Sequence, residues 1–126
     1  MTASKEALRI VQIAAQAASD KVAENLVALD VTNPMPLTDI FFIASGRNER
    51  QVMAISDGIE EALLENGVKL LRREGKTSGR WILLDFGHVI CHVMHEEERM
   101  YYSLERIWSD CPVVPLDVVS AESSLS

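Results

Sequence analysis

The segment Gly79-Arg80-Trp81-Ile82-Leu83-Leu84-Asp85-Phe86-Gly87-His88-Val89-Ile90-Cys91-His92-Val93-Met94 constrains this chain more than any other. It is the longest apolar stretch, and it is interrupted once, near its middle. Asp85-Phe86-Gly87 reads as a turn, because Gly tolerates positive φ and Asp can bond its own backbone. The spacing predicts two strands, about 80–85 and 88–94, joined as a hairpin. The first alternates Trp81, Leu83 and Asp85 against Arg80, Ile82 and Leu84; the second alternates Val89, Cys91 and Val93 against His88, Ile90 and Met94. Both faces carry apolar groups, so the hairpin belongs inside a sheet and not at a wet edge.

The rest of the chain reads as cover or extension for that hairpin. Residues 4–19 form a first helix, with Ser4 as N-cap and Glu6 at its positive end. Its apolar residues cover more than one face, which suits packing on two sides or against a partner chain. Leu26 to Val31 is a strand, broken by Thr32-Asn33-Pro34-Met35-Pro36, since two prolines so close have no place in a ladder. Thr38 to Ser45 is a strand ended by Gly46. Asn48 caps a second helix with Gln51 as its reciprocal partner, and Val52, Ile55, Ile59, Ala62 and Leu63 mark one helical face. Asn66-Gly67 stops it. Val68 to Arg72 is a strand, Glu74 to Gly79 a polar loop, and Glu97 to Trp108 a last helix with Met100, Leu104 and Ile107 on one side. The order is α-β-β-α-β-β-β-α. This is a single α/β domain over residues 1–112, with a mixed sheet of about five strands flanked by helices. Residues 113–126 are expected to be a disordered acidic tail.

At 126 residues one domain with a real core is expected. No run approaches the length of a membrane span, and the start lacks a basic region followed by an apolar core, so the expected location is the cytoplasm. Two cysteines do not make a disulfide framework, and Cys91 reads as a small buried hydrophobe. The net charge of −7 argues against a protein that grips nucleic acid unaided and is compatible with a basic protein partner.

Several constellations invite chemistry. His88, Cys91, His92 and His95 crowd into eight residues. On a strand, however, positions four apart are separated by about 13 Å at ~3.3 Å per residue, and His92 and His95 point to opposite faces, so no metal site is expected. Ser45-Gly46-Arg47-Asn48 is a strand-to-helix turn that either binds an anion through free N–H groups or is an ordinary capped turn. Cys91 and His92, adjacent on a strand, cannot act as nucleophile and base. Asp39 and Asp85 are isolated, and both suit turn or cap roles. Lys69, Arg72, Arg73, Lys76 and Arg80 are five basic residues in twelve, suited either to a peripheral RNA contact or to a solvated strand and loop. Trp81 shares a face with Leu83 and Asp85. It is either a core residue or an aromatic anchor for a protein partner.

The residues also resemble a known family. Thr38-Asp39-Ile40-Phe41-Phe42-Ile43-Ala44-Ser45-Gly46 followed by Glu49-Arg50-Gln51-Val52 is similar to the first signature of the ribosomal silencing factors, the RsfS or Iojap family. Glu74-Gly75, Arg80 to Gly87, His92-Val93, Glu97-Glu98-Arg99 and Tyr102 to Trp108 follow in the family's order. The resemblance runs from about Ala7 to Trp108 and leaves the tail outside. It implies a nucleotidyltransferase-like fold without the activity, and no cofactor. A nucleotidyltransferase needs a Gly-Ser turn and an Asp-x-Asp pair for two metals; here the turn reads Ser45-Gly46 and no Asp-x-Asp occurs. The resemblance further implies binding to the large ribosomal subunit through its fourteenth ribosomal protein, steric blockage of small-subunit joining when nutrients are scarce, a role in late large-subunit assembly in some lineages, and a homodimer when free. Trp81, Asp85 and Glu74 are the partner-facing candidates it suggests, Trp81 as anchor and the two carboxylates as pairs for Lys or Arg. Tyr102 and Glu105 on the last helix are further candidates, and Asp39 reads as structural. His88 departs from the family pattern, which usually has an acidic residue there.

Overall fold

The computed structural model describes residues 2–119, apart from the side chains of residues 101, 102, 104 and 105. Its elements are α1 (Lys5–Asp20), β1 (Glu24–Asp30), β2 (Ile40–Gly46), α2 (Glu49–Glu65), β3 (Arg72–Glu74), β4 (Trp81–Asp85), β5 (Val89–His95), α3 (Glu96–Tyr102) and α4 (Leu104–Ile107). The five strands form one sheet in the order β1-β2-β5-β4-β3. Only β2 and β5 run parallel; the other neighbours are antiparallel. The fold is thus the expected α/β domain with a mixed sheet of five strands.

The hairpin forms as its pattern requires. Trp81 pairs with Met94 and Asp85 with Ile90. The Asp85 carboxylate accepts from the Gly87 N–H at 2.8 Å, and Gly87 takes φ +87°, so the turn rests on the two residues whose chemistry suits it. β5 lies at the centre of the sheet and β4 beside it, both with strands on either side.

α1 and α2 cover one face of the sheet. Ser4 caps α1 by accepting from the Ala7 N–H at 3.1 Å, and Asn48 caps α2 by accepting from the Gln51 N–H at 2.8 Å. The Gln51 amide oxygen accepts from the Arg47 N–H, one residue before the reciprocal position expected. Val52, Ile55, Ile59 and Leu63 of α2 meet Ile10, Val11, Ala14 and Ala18 of α1 and Phe42, Ile82, Leu84, Cys91 and Val93 of the sheet in one buried cluster. Each fully buried aliphatic side chain there contributes about 1.5–3 kcal/mol. The second cluster lies on the other face and is smaller: Leu29, Val31, Phe41, Ile43 and Met94, with Met35, Trp81, Ile90, Trp108 and Cys111 packed partly against it.

Three expectations require correction. The strand placed at 68–72 forms at 72–74. Residues 68–71 must first cross from the end of α2 to the edge of β4; the ladder begins with the Leu71 N–H donating to Asp85 O, beside the Arg72–Asp85 pair. The single helix expected over 97–108 is two helices. Ser103 takes the left-handed conformation, φ 46°, and interrupts it. Met100 and Ile107 are exposed and Arg99 is buried. Finally, the tail expected to be disordered from residue 113 is held in place as far as it is described. Val113 forms an antiparallel bridge with Leu29, Val114 is buried, and residues 115–119 run along α1. Residues 120–126 lie outside the described residues.

Candidate partner-binding face

Strand alternation places every second residue of the sheet on the face opposite α1 and α2. On β4 these are Trp81, Leu83 and Asp85, and on β5 Ile90, His92 and Met94. β3 contributes Arg72, paired with Asp85, and Glu74, paired with Leu83. Trp81, Leu83, Asp85 and Ile90 are half-buried, and Arg72 and Glu74 are exposed. The β1–β2 half of this face is covered by Met35, Trp108 and Cys111. The β3–β4 half presents an apolar strip of Trp81, Leu83 and Ile90, with the carboxylates of Asp85 and Glu74 at its margin. Arg72 Nε lies 3.7 Å from Glu74 Oε1.

Two devices hold this strip. Gly75 at φ +85° brings the β3–β4 loop so close to β4 that a Cβ would stand 1.9 Å from the Trp81 carbonyl oxygen, so no other residue fits. Arg80, immediately before Trp81, donates to Glu98 at 2.8 Å, Glu49 at 2.9 Å and Glu97 at 3.0 Å. It ties the head of β4 to the first turns of α2 and α3, and the three carboxylates hold its guanidinium pKa above the ordinary arginine value.

Behind the strip runs a row of aromatic rings. The Trp81 indole N–H donates to His92 Nδ1 at 3.2 Å. His92 packs edge-on to Phe41 with ring centroids 5.0 Å apart, and Phe41 packs edge-on to Trp108 at 5.4 Å. His92 is buried, and burial lowers its pKa to about 4. The ring is therefore neutral near pH 7. Because Nδ1 accepts, Nε2 carries the proton; that atom is buried and has no hydrogen-bond partner among the described residues.

The sheet thus brings together Trp81, Asp85 and Glu74, three of the residues singled out from the sequence. Tyr102 and Glu105 belong to α3 and α4, and their side chains lie outside the described residues. Leu83, Ile90 and Arg72 complete the strip. Period-two spacing marks Leu83 beforehand, but only cross-strand register adds the other two. Asp39 accepts from the Ser4 N–H at 3.0 Å, a structural role, with His88 Nδ1 3.9 Å from its carboxylate.

The other constellations are engaged elsewhere. Ser45 donates to Glu24 O, and the N–H groups of Arg47, Gln51 and Val52 donate within the capped turn. Those N–H groups are thus committed within the turn. His95 Nδ1 caps α3 by accepting from the Glu97 N–H, while Cys91 faces the helices with its thiol pKa pushed up by burial. Among the described residues no three His, Cys, Asp or Glu side chains gather at metal-binding distance. Of the five basic residues, Arg73 pairs with Glu60, Lys76 with Asp57, and Arg80 with its three glutamates.

Among the described residues this is a two-layer α/β domain that carries Trp81, Leu83 and Ile90, half-buried, on the sheet face opposite α1 and α2, with the carboxylates of Asp85 and Glu74 at their margin. The sequence matches the family model described as "Ribosomal silencing factor during starvation" over residues 4–125, which includes the tail. The chain belongs to the ribosomal silencing factor (RsfS) family. It is 43% identical over 108 residues to the ribosomal silencing factor RsfS of Bacillus subtilis, covering 86% of this chain and 92% of that one. A crystal structure from Bacillus halodurans superposes with a TM-score of 0.76 at 40% identity, covering 86% of this chain and 98% of that one. A mouse protein named "Mitochondrial assembly of ribosomal large subunit protein 1" is 30% identical over 90 residues, which are 69% of this chain and 40% of that protein.

Proposed function

We propose that this protein binds the large ribosomal subunit in the cytoplasm through its fourteenth ribosomal protein, using the exposed half of the sheet face. Bound there, it occludes the small subunit sterically and lowers translation when nutrients are scarce. It acts by occupancy, without turnover. The observation that carries the site is the placement of Trp81, Leu83, Asp85 and Glu74 on one surface across β3 and β4. Trp81 is the anchor. Asp85 and Glu74 pair with Lys or Arg of the partner and set its register. The net charge of −7 suits a basic partner. Ribosomal RNA contributes at the rim only, since four of the five clustered cations already have carboxylate partners. Tyr102 and Glu105 extend the surface, and the protein is a homodimer when free.

The test is co-sedimentation with purified large subunits, comparing wild type with Trp81→Ala and Asp85→Ala. Wild type is expected in the pellet. Loss of a hot-spot aromatic costs roughly 2 kcal/mol or more, about thirtyfold in Kd, so the Trp81 variant stays in the supernatant while still folded. Failure of wild type to pellet at moderate salt overturns the functional reading; equal binding by both variants overturns the site alone.

A second reading is large-subunit assembly, favoured by the name of the mouse relative. Accumulation of immature large-subunit particles in a deletion strain would support it.

A further inference from the structure

His92 stands near the middle of β5, where two strand registers meet. Leu83 of β4 lies opposite it on one side and Ile43 of β2 on the other. The rings beside it come from the diagonal positions, two residues along each neighbouring strand. These are Trp81 on β4, with ring centroids 6.0 Å apart, and Phe41 on β2, at 5.0 Å. Diagonal neighbours on one face of a sheet are within reach of aromatic side chains. Phe41 is held in turn by Trp108, edge-on at 5.4 Å. The imidazole is thus restrained on both sides and is only 6% exposed, with its Nδ1 directed at the Trp81 N–H 3.2 Å away.

For packing alone, histidine is a costly residue here. Its Nε2–H is buried and has no hydrogen-bond partner among the described residues, whereas a phenyl ring would bury no polar atom. What the imidazole adds is an acceptor at Nδ1. That acceptor engages the one polar atom of the Trp81 side chain. The rest of the indole is carbon, so carbon is all that Trp81 has left to offer a partner.

We propose that His92 is a positioning residue for partner recognition: its hydrogen bond fixes the Trp81 indole in the orientation a partner meets, and makes that contact one of hydrocarbon and π surface that asks no acceptor of the partner. This rests on the reading of Trp81 as the anchor. The group it fits on the partner is an aliphatic side chain or a guanidinium, both of which pack on an indole face. Without the imidazole acceptor the indole N–H is stranded at a half-buried site, and the ring turns to reach water. Loss of a side chain buried behind the surface then weakens binding at the surface.

The test is a double-mutant cycle on binding to purified large subunits, with exchange of the Trp81 indole N–H as an independent readout. His92→Phe keeps a ring between Trp81 and Phe41 but removes the acceptor, and it should weaken binding about tenfold. His92→Asn places an oxygen close to the position of Nδ1 and should stay within about threefold of wild type. In a Trp81→Phe background, which has no indole N–H, His92→Phe should change binding by less than about threefold. In NMR the Trp81 indole N–H should exchange slowly in wild type and His92→Asn, and about tenfold faster in His92→Phe. A folded His92→Phe chain that binds as tightly as wild type overturns the proposal, as does an equal loss with and without the indole. If wild type itself does not bind, the ribosomal reading falls, and indole exchange still decides the positioning. Should His92→Phe fail to fold, wild-type exchange decides alone: a fast-exchanging Trp81 indole overturns the proposal.

Discussion

The Trp81 indole donates a 3.2 Å hydrogen bond to Nδ1 of His92 on the neighbouring strand, joining a half-buried tryptophan to a buried neutral imidazole. Orientation of the indole thus depends on the protonation state of a residue behind it. A protonated imidazole has no acceptor to offer.

Acid should therefore loosen this face. The folded-state pKa of His92 is lowered to about 4, below the ordinary histidine value of about 6.5, so the unfolded chain binds the extra proton first as pH falls. Stability from this group is complete above pH 6.5 and declines between 6.5 and 4, by roughly 3 kcal/mol at most. The expected result is a His92 ring signal in NMR that does not titrate between pH 8 and 5. Urea midpoints should fall more steeply with acid in wild type than in His92→Phe. A midpoint near 6.5 for the His92 signal would sink the idea.

Two glycines with positive φ should respond differently to alanine. Gly75→Ala drives a Cβ into the Trp81 carbonyl, where backbone must move, and should cost about 3 kcal/mol or more. Gly87→Ala meets only the end of the Leu71 side chain at 3.3 Å, so its cost is the left-handed conformation alone, about 1 kcal/mol. Urea denaturation of both variants measures the gap, and equal losses would refute the contrast.

Removing the Arg80 guanidinium should free the start of α3. Arg80→Ala leaves Glu49, Glu97 and Glu98 facing one another without a cation. Amide exchange in the first turns of α3 should quicken while the α1–α2 core is unchanged, and the difference should shrink as salt rises. Unaltered α3 exchange at low salt would show that the clamp does not position this helix.

The two thiols should react in a fixed order. Cys91 is wholly buried on the helix side of the sheet, whereas Cys111 is partly exposed, with its thiol pKa raised by burial and by Asp30 and Asp110. A maleimide should modify Cys111 slowly and Cys91 only on unfolding. Mass spectrometry of the native protein showing Cys91 labelled first would contradict the packing.

The hairpin was legible because its signals are local: period-two alternation on both arms, and an Asp-Phe-Gly turn whose side chain and φ serve one another. The caps at Ser4 and Asn48 were legible for the same reason. The shift of β3 to Arg72–Glu74 was not, since it depends on where β4 ends on the neighbouring strand. Nor was the break at Ser103, where nothing in residue type demands a left-handed residue. The bound stretch 113–119 carried a signal in the alternation of Val114, Leu116 and Val118, which the small polar residues beyond it obscured.

By itself, then, the sequence determined the α/β class, the element order through the start of the last helical segment, the separation of Cys91 from His92 onto opposite faces, and the alignment of Trp81 with Asp85. All of these follow from bonded geometry and side-chain period. Tertiary structure alone decided that Glu74 and Arg72 join that face, that Ile90 completes it, that His92 is held neutral behind it, and that the tail is bound along α1. Each of those outcomes depends on strand register or desolvation, and both arise from groups distant in the chain that meet only when the sheet closes.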